Sequence, residues 1–120
     1  MGNFCAAAKN TMLDSLTADR LSLHTGDPGE DGLSNEVTGG SQAYARLACT
    51  IAAASGGVRT LSSDVTFDVP ACTVAYVGFW DYNAGSMIFH GSDIVTSEVF
   101  SAQGKYTVQA TTTKLELTNI

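Results

Sequence analysis

Residues 65–91, VTFDVPACTVAYVGFWDYNAGSMIFHG, decide the fold. Their centre, Thr73-Val74-Ala75-Tyr76-Val77-Gly78-Phe79-Trp80-Asp81, is apolar at both alternating sets of positions. Val74, Tyr76 and Trp80 fall on one face, and Ala75, Val77 and Phe79 on the other. A half-exposed strand would carry polar residues at every second position, so this pattern predicts a strand covered on both sides. The chain's one tryptophan lies in it, and the segment is expected to be the central strand of a β-protein.

Outward from this centre the chain reads as short strands and turns. Tyr82-Asn83-Ala84-Gly85-Ser86 predicts a hairpin connection, because Asn and Gly tolerate positive φ, and Met87-Ile88-Phe89-His90-Gly91 returns beside the centre. Further strands are predicted over 94–100, 106–110 and 114–118, with a turn at Ala102-Gln103-Gly104-Lys105. Upstream, Val65, Phe67 and Val69 alternate until Pro70 stops them. Residues 42–51 predict an amphipathic strand, with Ala43, Ala45, Leu47, Cys49 and Ile51 inward and Gln42, Tyr44, Arg46, Ala48 and Thr50 outward. Residues 52–57 resemble a helix start, but Ser55-Gly56-Gly57 ends it. Residues 20–25, RLSLHT, predict a first strand with Leu21 and Leu23 on one face.

The N-terminal segment differs. Phe4, Ala8, Met12 and Leu16 recur every four residues with Leu13 beside them, which predicts a short amphipathic helix capped by Asn3. So short a helix is marginal alone and must dock on its own domain or on another subunit. The expected architecture is an all-β, antiparallel β-sandwich or jelly-roll-like single domain with a short N-terminal helix. Residues 1–20 form the helix and lead-in, and residues 21–120 the sandwich.

Composition narrows the function. Hydrophobic residues make up 44% of the chain and charged ones 15%, which fits a packed domain. The formal net charge is −6 and the six Lys and Arg are scattered singly, so neither nucleic acid nor an anionic membrane is an expected partner. No apolar run approaches the roughly 20 residues of a membrane-spanning helix. The start, MGNFCAAAKNTMLD, shows no secretory signal.

No chemistry declares itself. Nucleophilic catalysis needs a Ser, Cys or Thr beside a base and an orienting acid. There is no GxSxG elbow, and the two histidines, His24 and His90, read as structural or surface residues. Asp27, Glu30 and Asp31 share a Gly-rich loop whose spacing matches no EF-hand, so a solvated acidic turn is expected. Neither metal nor cofactor is expected. Cys5, Cys49 and Cys72 show no metal spacing and read as small apolar residues, although their odd number leaves a disulfide to a neighbouring subunit open. Trp80, Asp81, Tyr82 and Asn83 offer the aromatic faces and polar groups of a sugar-binding tip, but a core Trp followed by a turn has the same letters.

Two blocks carry a family resemblance. Leu23-His24-Thr25-Gly26-Asp27-Pro28-Gly29, Asn35-Glu36-Val37, Gly39-Gly40 and Tyr44-Ala45-Arg46 form the first. Phe67-Asp68-Val69-Pro70-Ala71 and Val77-Gly78-Phe79-Trp80-Asp81 form the second. In this order they resemble a recurring pattern in small virion proteins of tailed bacteriophages, labelled minor tail, tail-fibre or head-decoration proteins. The likeness spans residues 21–91 and departs at Cys72, where Gly is more usual. It implies a β-sandwich that binds other virion subunits and has no catalytic residues. The expected role is thus a non-enzymatic structural protein of the virion, decorating the head or attached to the tail or collar. A homo-oligomer, preferably a trimer, is expected, with Phe4, Ala8, Met12 and Leu16 as candidate inter-subunit contacts. The alternative is a carbohydrate-binding module touching the host surface, which requires Trp80 and Tyr82 to be exposed.

Overall fold

The computed structural model describes residues 4–83 and 86–116, with only the backbone given for Asn83. The expected Asn3 cap, the Ala84-Gly85 turn and the end of the last strand at Leu117 and Thr118 lie outside the described residues.

The predicted central strand is β5 (Cys72–Asn83). It lies between β1 (Arg20–His24) and β6 (Ser86–Phe100), both antiparallel to it. The two-residue β2 (Leu47–Ala48) completes a four-stranded sheet in the order β2-β1-β5-β6. Two ribbons complete the architecture: β4 (Val65–Val69) with β7 (Gly104–Val108), and β3 (Val58–Thr60) with β8 (Lys114–Glu116). The protein is all-β and antiparallel, with one short helix, α1 (Ala6–Asp14).

The core lies between the large sheet and the β4–β7 ribbon. Leu21 and Leu23 of β1 pair across the ladder with Phe79 and Val77, and Phe67, Val69, Tyr106 and Val108 of the ribbon join them in one buried cluster. Alternation along β4 and β7 aims these ribbon residues inward, as an apolar set at period two requires. Along β5 strict alternation fails. The ladder slips register between Val74 and Tyr76, and Val74 is buried in the cluster that holds Val77 and Phe79, not with Trp80. Such irregularities re-aim side chains locally.

Residues 42–51 are the main departure from expectation. Only Leu47 and Ala48 pair as a strand, with a single further bridge at Ile51↔Leu61. Ala43 and Ala45 are exposed, whereas Tyr44 and Arg46, read as outward, reach inward. An alanine gains little by burial, about 0.8 kcal/mol per CH₂-sized group. A Tyr ring stacked 6.0 Å from Phe67 and an Arg stacked on Trp80 gain more, so the larger residues take the inside. Residues 52–57 form no helix. Ser55 and Val58 bridge across Gly56 and Gly57, whose φ values of 62° and 80° suit a tight turn.

The helix docks on its own domain, and through its polar side. Asn10 accepts the Gly57 N–H at 2.8 Å and Asp14 that of Ala54 at 2.8 Å. Arg59, from β3, donates to the carbonyls of Leu13 and Leu16 at 3.1 and 2.8 Å, satisfying acceptors at the helix end and adding a cation there. Of the apolar side chains only Leu13 is buried, while Phe4 is 52% exposed.

Candidate functional site

The sheet face opposite the core is covered over part of its area by polar chemistry. Ser22 and His24 of β1 point there, since Leu21 and Leu23 point to the core, and both are fully buried. The indole Nε1–H of Trp80 donates to Ser22 Oγ at 2.8 Å. Ser22 Oγ in turn lies 2.7 Å from His24 Nε2, and His24 Nδ1 lies 2.9 Å from the Ser34 carbonyl. An indole N–H can only donate and a carbonyl can only accept, so with a neutral imidazole the chain runs in one direction. Trp80 gives to Ser22, Ser22 gives to His24 Nε2, and His24 Nδ1–H gives to Ser34. His24 is neutral in this arrangement, and burial pushes its pKa below 6.5 despite the Ser34 bond and nearby Glu36, with Arg46 acting in the same direction as burial.

Gly78 makes the arrangement possible. A Cβ at this position would overlap Ser22 Oγ and stand 3.1 Å from His24 Nε2. The lid over the network is residues 26–46. Val37 N–H donates to the Leu23 carbonyl, Thr25 N–H to Asn35, and Glu36 bridges to His24. Arg46 grips Glu36 with two nitrogens, at 2.9 and 2.8 Å, and Tyr44 gives its hydroxyl to the same carboxylate at 2.7 Å while accepting the Leu23 N–H. Burial alone would raise the Glu36 pKa, but the Arg46 and Tyr44 bonds outweigh it and hold the carboxyl below its ordinary value. Among the described residues no buried side-chain polar atom lacks a partner, as a low-dielectric cluster requires.

Chemically this set holds shape. Ser22 and His24 have the spacing of a nucleophile and a base, but both are 0% exposed, and a backbone carbonyl occupies the place of an orienting acid. His90 lies elsewhere, its Nε2 3.0 Å from the Thr17 carbonyl. Among the described residues no group of His, Cys, Asp and Glu is placed to hold a metal. Asp27 and Asp31 accept the backbone N–H groups of Gly29 and Leu33, so the acidic loop uses its carboxylates to shape its own turns.

The remaining candidate residues scatter. Trp80 is 3% exposed, so its ring is a packing surface against Phe89, 5.0 Å away, and is not open for sugar stacking. Asp81 is half-buried, and Tyr82 is 43% exposed with Arg20 4.9 Å over its ring. Cys5 is exposed and Cys49 and Cys72 half-buried, all three as free thiols. Burial, aided by Asp19 and opposed by Arg20, pushes Cys49 up to about 11, and burial also raises Cys72. Ala8, Met12 and Leu16 are half-buried beside exposed Phe4.

Other apolar groups stay bare. The 26–46 cover spans the Trp80 end of the outer face. At the other end Ile94 faces Tyr76 across the ladder and is 69% exposed, and Val99 faces Thr73 and is 74% exposed. Their neighbours Cys72 and Phe100 pack on the core, so Val99 and Thr73 point away from it. β6 is also the sheet's edge. Among the described residues no further strand pairs with it, although β7 and β8 reach it at single points, the Tyr106 hydroxyl on the Thr96 carbonyl and the Lys114 N–H on Asp93.

The chain is thus a small all-β domain with a sealed polar network and bare apolar groups on its edge strand. The family model described as Podophage GP4 fiber I protein gp80 matches residues 6–116, and the chain belongs to that family. It is a structural component of a phage virion, as the resemblance to small tailed-phage virion proteins implies. No curated protein and no solved structure matches the chain.

The two blocks that carry the resemblance meet in space. His24, Glu36, Tyr44, Arg46, Gly78 and Trp80 all belong to those blocks, and all belong to the polar network or its cover. Ser22, Ser34 and Arg59 carried no sequence signal. Their roles depend on partners from 10 to 58 residues away.

Proposed function

We propose that the protein is a non-enzymatic structural subunit attached to the tail of the particle, fixed to neighbouring virion subunits through the bare half of its outer sheet face and the edge of β6. The exposed Ile94 and Val99 on that edge strand carry this reading. An apolar, unpaired edge invites a partner and promotes aggregation without one. Phe4, with Ala8, Met12 and Leu16 behind it, forms a second contact, carried by α1 and the residues flanking it, which Arg59 anchors to the domain. Fibre-family membership favours the tail over head decoration, and a head-to-tail contact between two different surfaces of neighbouring copies, closed around a threefold axis, gives the homotrimer this reading prefers. With its ring face covered by Arg46 and Phe89, Trp80 lends no support to the sugar-binding alternative.

The test is incorporation into particles. The double variant Ile94→Asp, Val99→Lys is expected to keep the wild-type circular dichroism and thermal midpoint yet be missing from purified particles, whereas labelled wild type is found on the tail. Full incorporation of the double variant, or wild type found on no particle, overturns the reading.

A further inference from the structure

We propose that acid loosens the cover of the outer sheet face: protonation of His24 releases Ser34 to Glu36, together with the Arg46 side chain paired to Glu36, and brings Trp80 to solvent, while Val37 and Tyr44 keep their places in the core. The hydrogen-bond chain motivates this outcome. With the ring neutral, Nε2 of His24 accepts the Ser22 hydrogen while Ser22 Oγ receives the Trp80 N–H, so every group is used. A second ring proton on Nε2 sets two donors against each other. Rotating the Ser22 hydroxyl relieves the clash only by leaving its hydrogen without an acceptor in a site that is 0% exposed. No other arrangement of these four groups is saturated.

The surroundings offer the imidazolium little. From β1 itself only Ser22 reaches the ring, and from β5 the neighbours are Gly78 and, at the paired position, Tyr76. Phe89 of β6 lies behind Gly78. From the cover come the Ser34 carbonyl, the Glu36 carboxylate, the Tyr44 hydroxyl and the Arg46 guanidinium. Glu36 is the one anion, and it is committed to Arg46 in a two-nitrogen pair. Ser34 and Glu36, the cover residues nearest the ring, flank Asn35, whose carbonyl accepts the Thr25 N–H, and the segment ends at Val37, which is anchored in the core. Lifting that segment hydrates His24 and leaves Arg46 and Glu36 paired with each other. Each pH unit between the ordinary imidazole value and that of buried His24 shifts the closed-to-open ratio about tenfold.

The single tryptophan is the reporter. Between about pH 7 and about pH 5, the range in which imidazoles titrate, Trp80 emission is expected to move to the red. The Thr25 amide, bonded to the Asn35 carbonyl, is expected to exchange faster than the intrinsic pH correction allows, while those of β4 and β7 stay protected. His24→Gln should remove the step, and His90→Gln should leave it in place. An NMR titration of the His24 ring in the wild type must coincide with the Trp80 step, a readout that holds even if His24→Gln does not fold. The proposal is overturned by constant emission, by a step surviving in His24→Gln or lost in His90→Gln, by a His24 titration at a different pH, or by simultaneous loss of protection in β4 and β7.

Discussion

The guanidinium carbon of Arg46 stands 3.8 Å from the centroid of the Trp80 ring, face on, while two nitrogens of the same group hold Glu36. One side chain thus closes an aromatic surface and a carboxylate together. The planar fork suits both tasks, and an ammonium suits neither as well. Arg46→Lys is therefore expected to cost about 1–2 kcal/mol, and Arg46→Ala, which leaves Glu36 unpaired, about 2–4 kcal/mol. Urea unfolding followed by Trp80 emission gives both values. An unchanged midpoint in Arg46→Ala would show that the stacking is incidental.

Gly78 is the second position where one atom decides. Its backbone φ is not unusual, so the constraint is space: an added Cβ meets Ser22 Oγ, His24 and the Phe89 ring. Neither Ser22 nor His24 can retreat without losing its hydrogen bond. Gly78→Ala should cost about 2–3 kcal/mol, in the range of overpacked cores. Pairing it with Ser22→Ala should recover part of that loss, because the closest obstacle is gone. Thermal unfolding of the single and double variants checks this, and equal midpoints for Gly78→Ala and wild type would contradict it.

How far the sequence foretold these features depends on the range of the forces involved. Strands that bury one alternating apolar set against a facing layer were readable, as Val65, Phe67 and Val69 of β4 and Tyr106 and Val108 of β7 demonstrate. Their signal is local and periodic. Over 42–51 the same periodicity misled, since the alternating small residues Ala43 and Ala45 had nothing to gain inside. On β1 the letters RLSLH suggested one wet face, yet Ser22 and His24 are as buried as the leucines. A buried polar side chain is fixed by distant partners, Trp80 and Ser34 here, and no local pattern encodes them. The helix was correctly expected, but its docking face was not legible for a related reason. Its apolar stripe is regular, but Asn10 and Asp14 meet orphan N–H groups of the 54–57 turn and set the docking face.

Glu36 gives the stability a second acid limb. Its folded pKa is held below the ordinary 4.5, so the unfolded chain takes up the proton first as pH falls. The stabilisation is complete above 4.5 and declines as pH drops through the folded value. His24 acts in the same sense from 6.5 downward, because its folded pKa is also depressed. Urea midpoints measured against pH should fall in two steps on acidification. Glu36→Gln should flatten the lower step and keep the upper one. A midpoint that rises between pH 6.5 and 4.5 would reverse the sign of the argument.

Arg59 offers the clearest separation of the helix from the sandwich. Its guanidinium lies on the Leu13 and Leu16 carbonyls, on Ala52 O at 2.9 Å, and 3.8 Å from Asp14, and its side chain is 13% exposed. Four carbonyls from two segments, with Ile51 O at 3.4 Å as the fourth, converge on one cation beside the Asp14 carboxylate, and removing it takes a donor from the end of a nine-residue helix. Without a side-chain bond at its N-cap residue Cys5, α1 has little else to hold its ends. Arg59→Ala is expected to cost about 2–3 kcal/mol in the sandwich's own unfolding, as expected for charged hydrogen bonds lost from a half-buried site. Exchange of the α1 amides should accelerate by much more than that of β5. Arg59→Lys, which reaches fewer carbonyls, should fall between. If α1 stays as protected in Arg59→Ala as in the wild type, the helix is held by Leu13, Asn10 and Asp14 alone, and the arginine merely accompanies them.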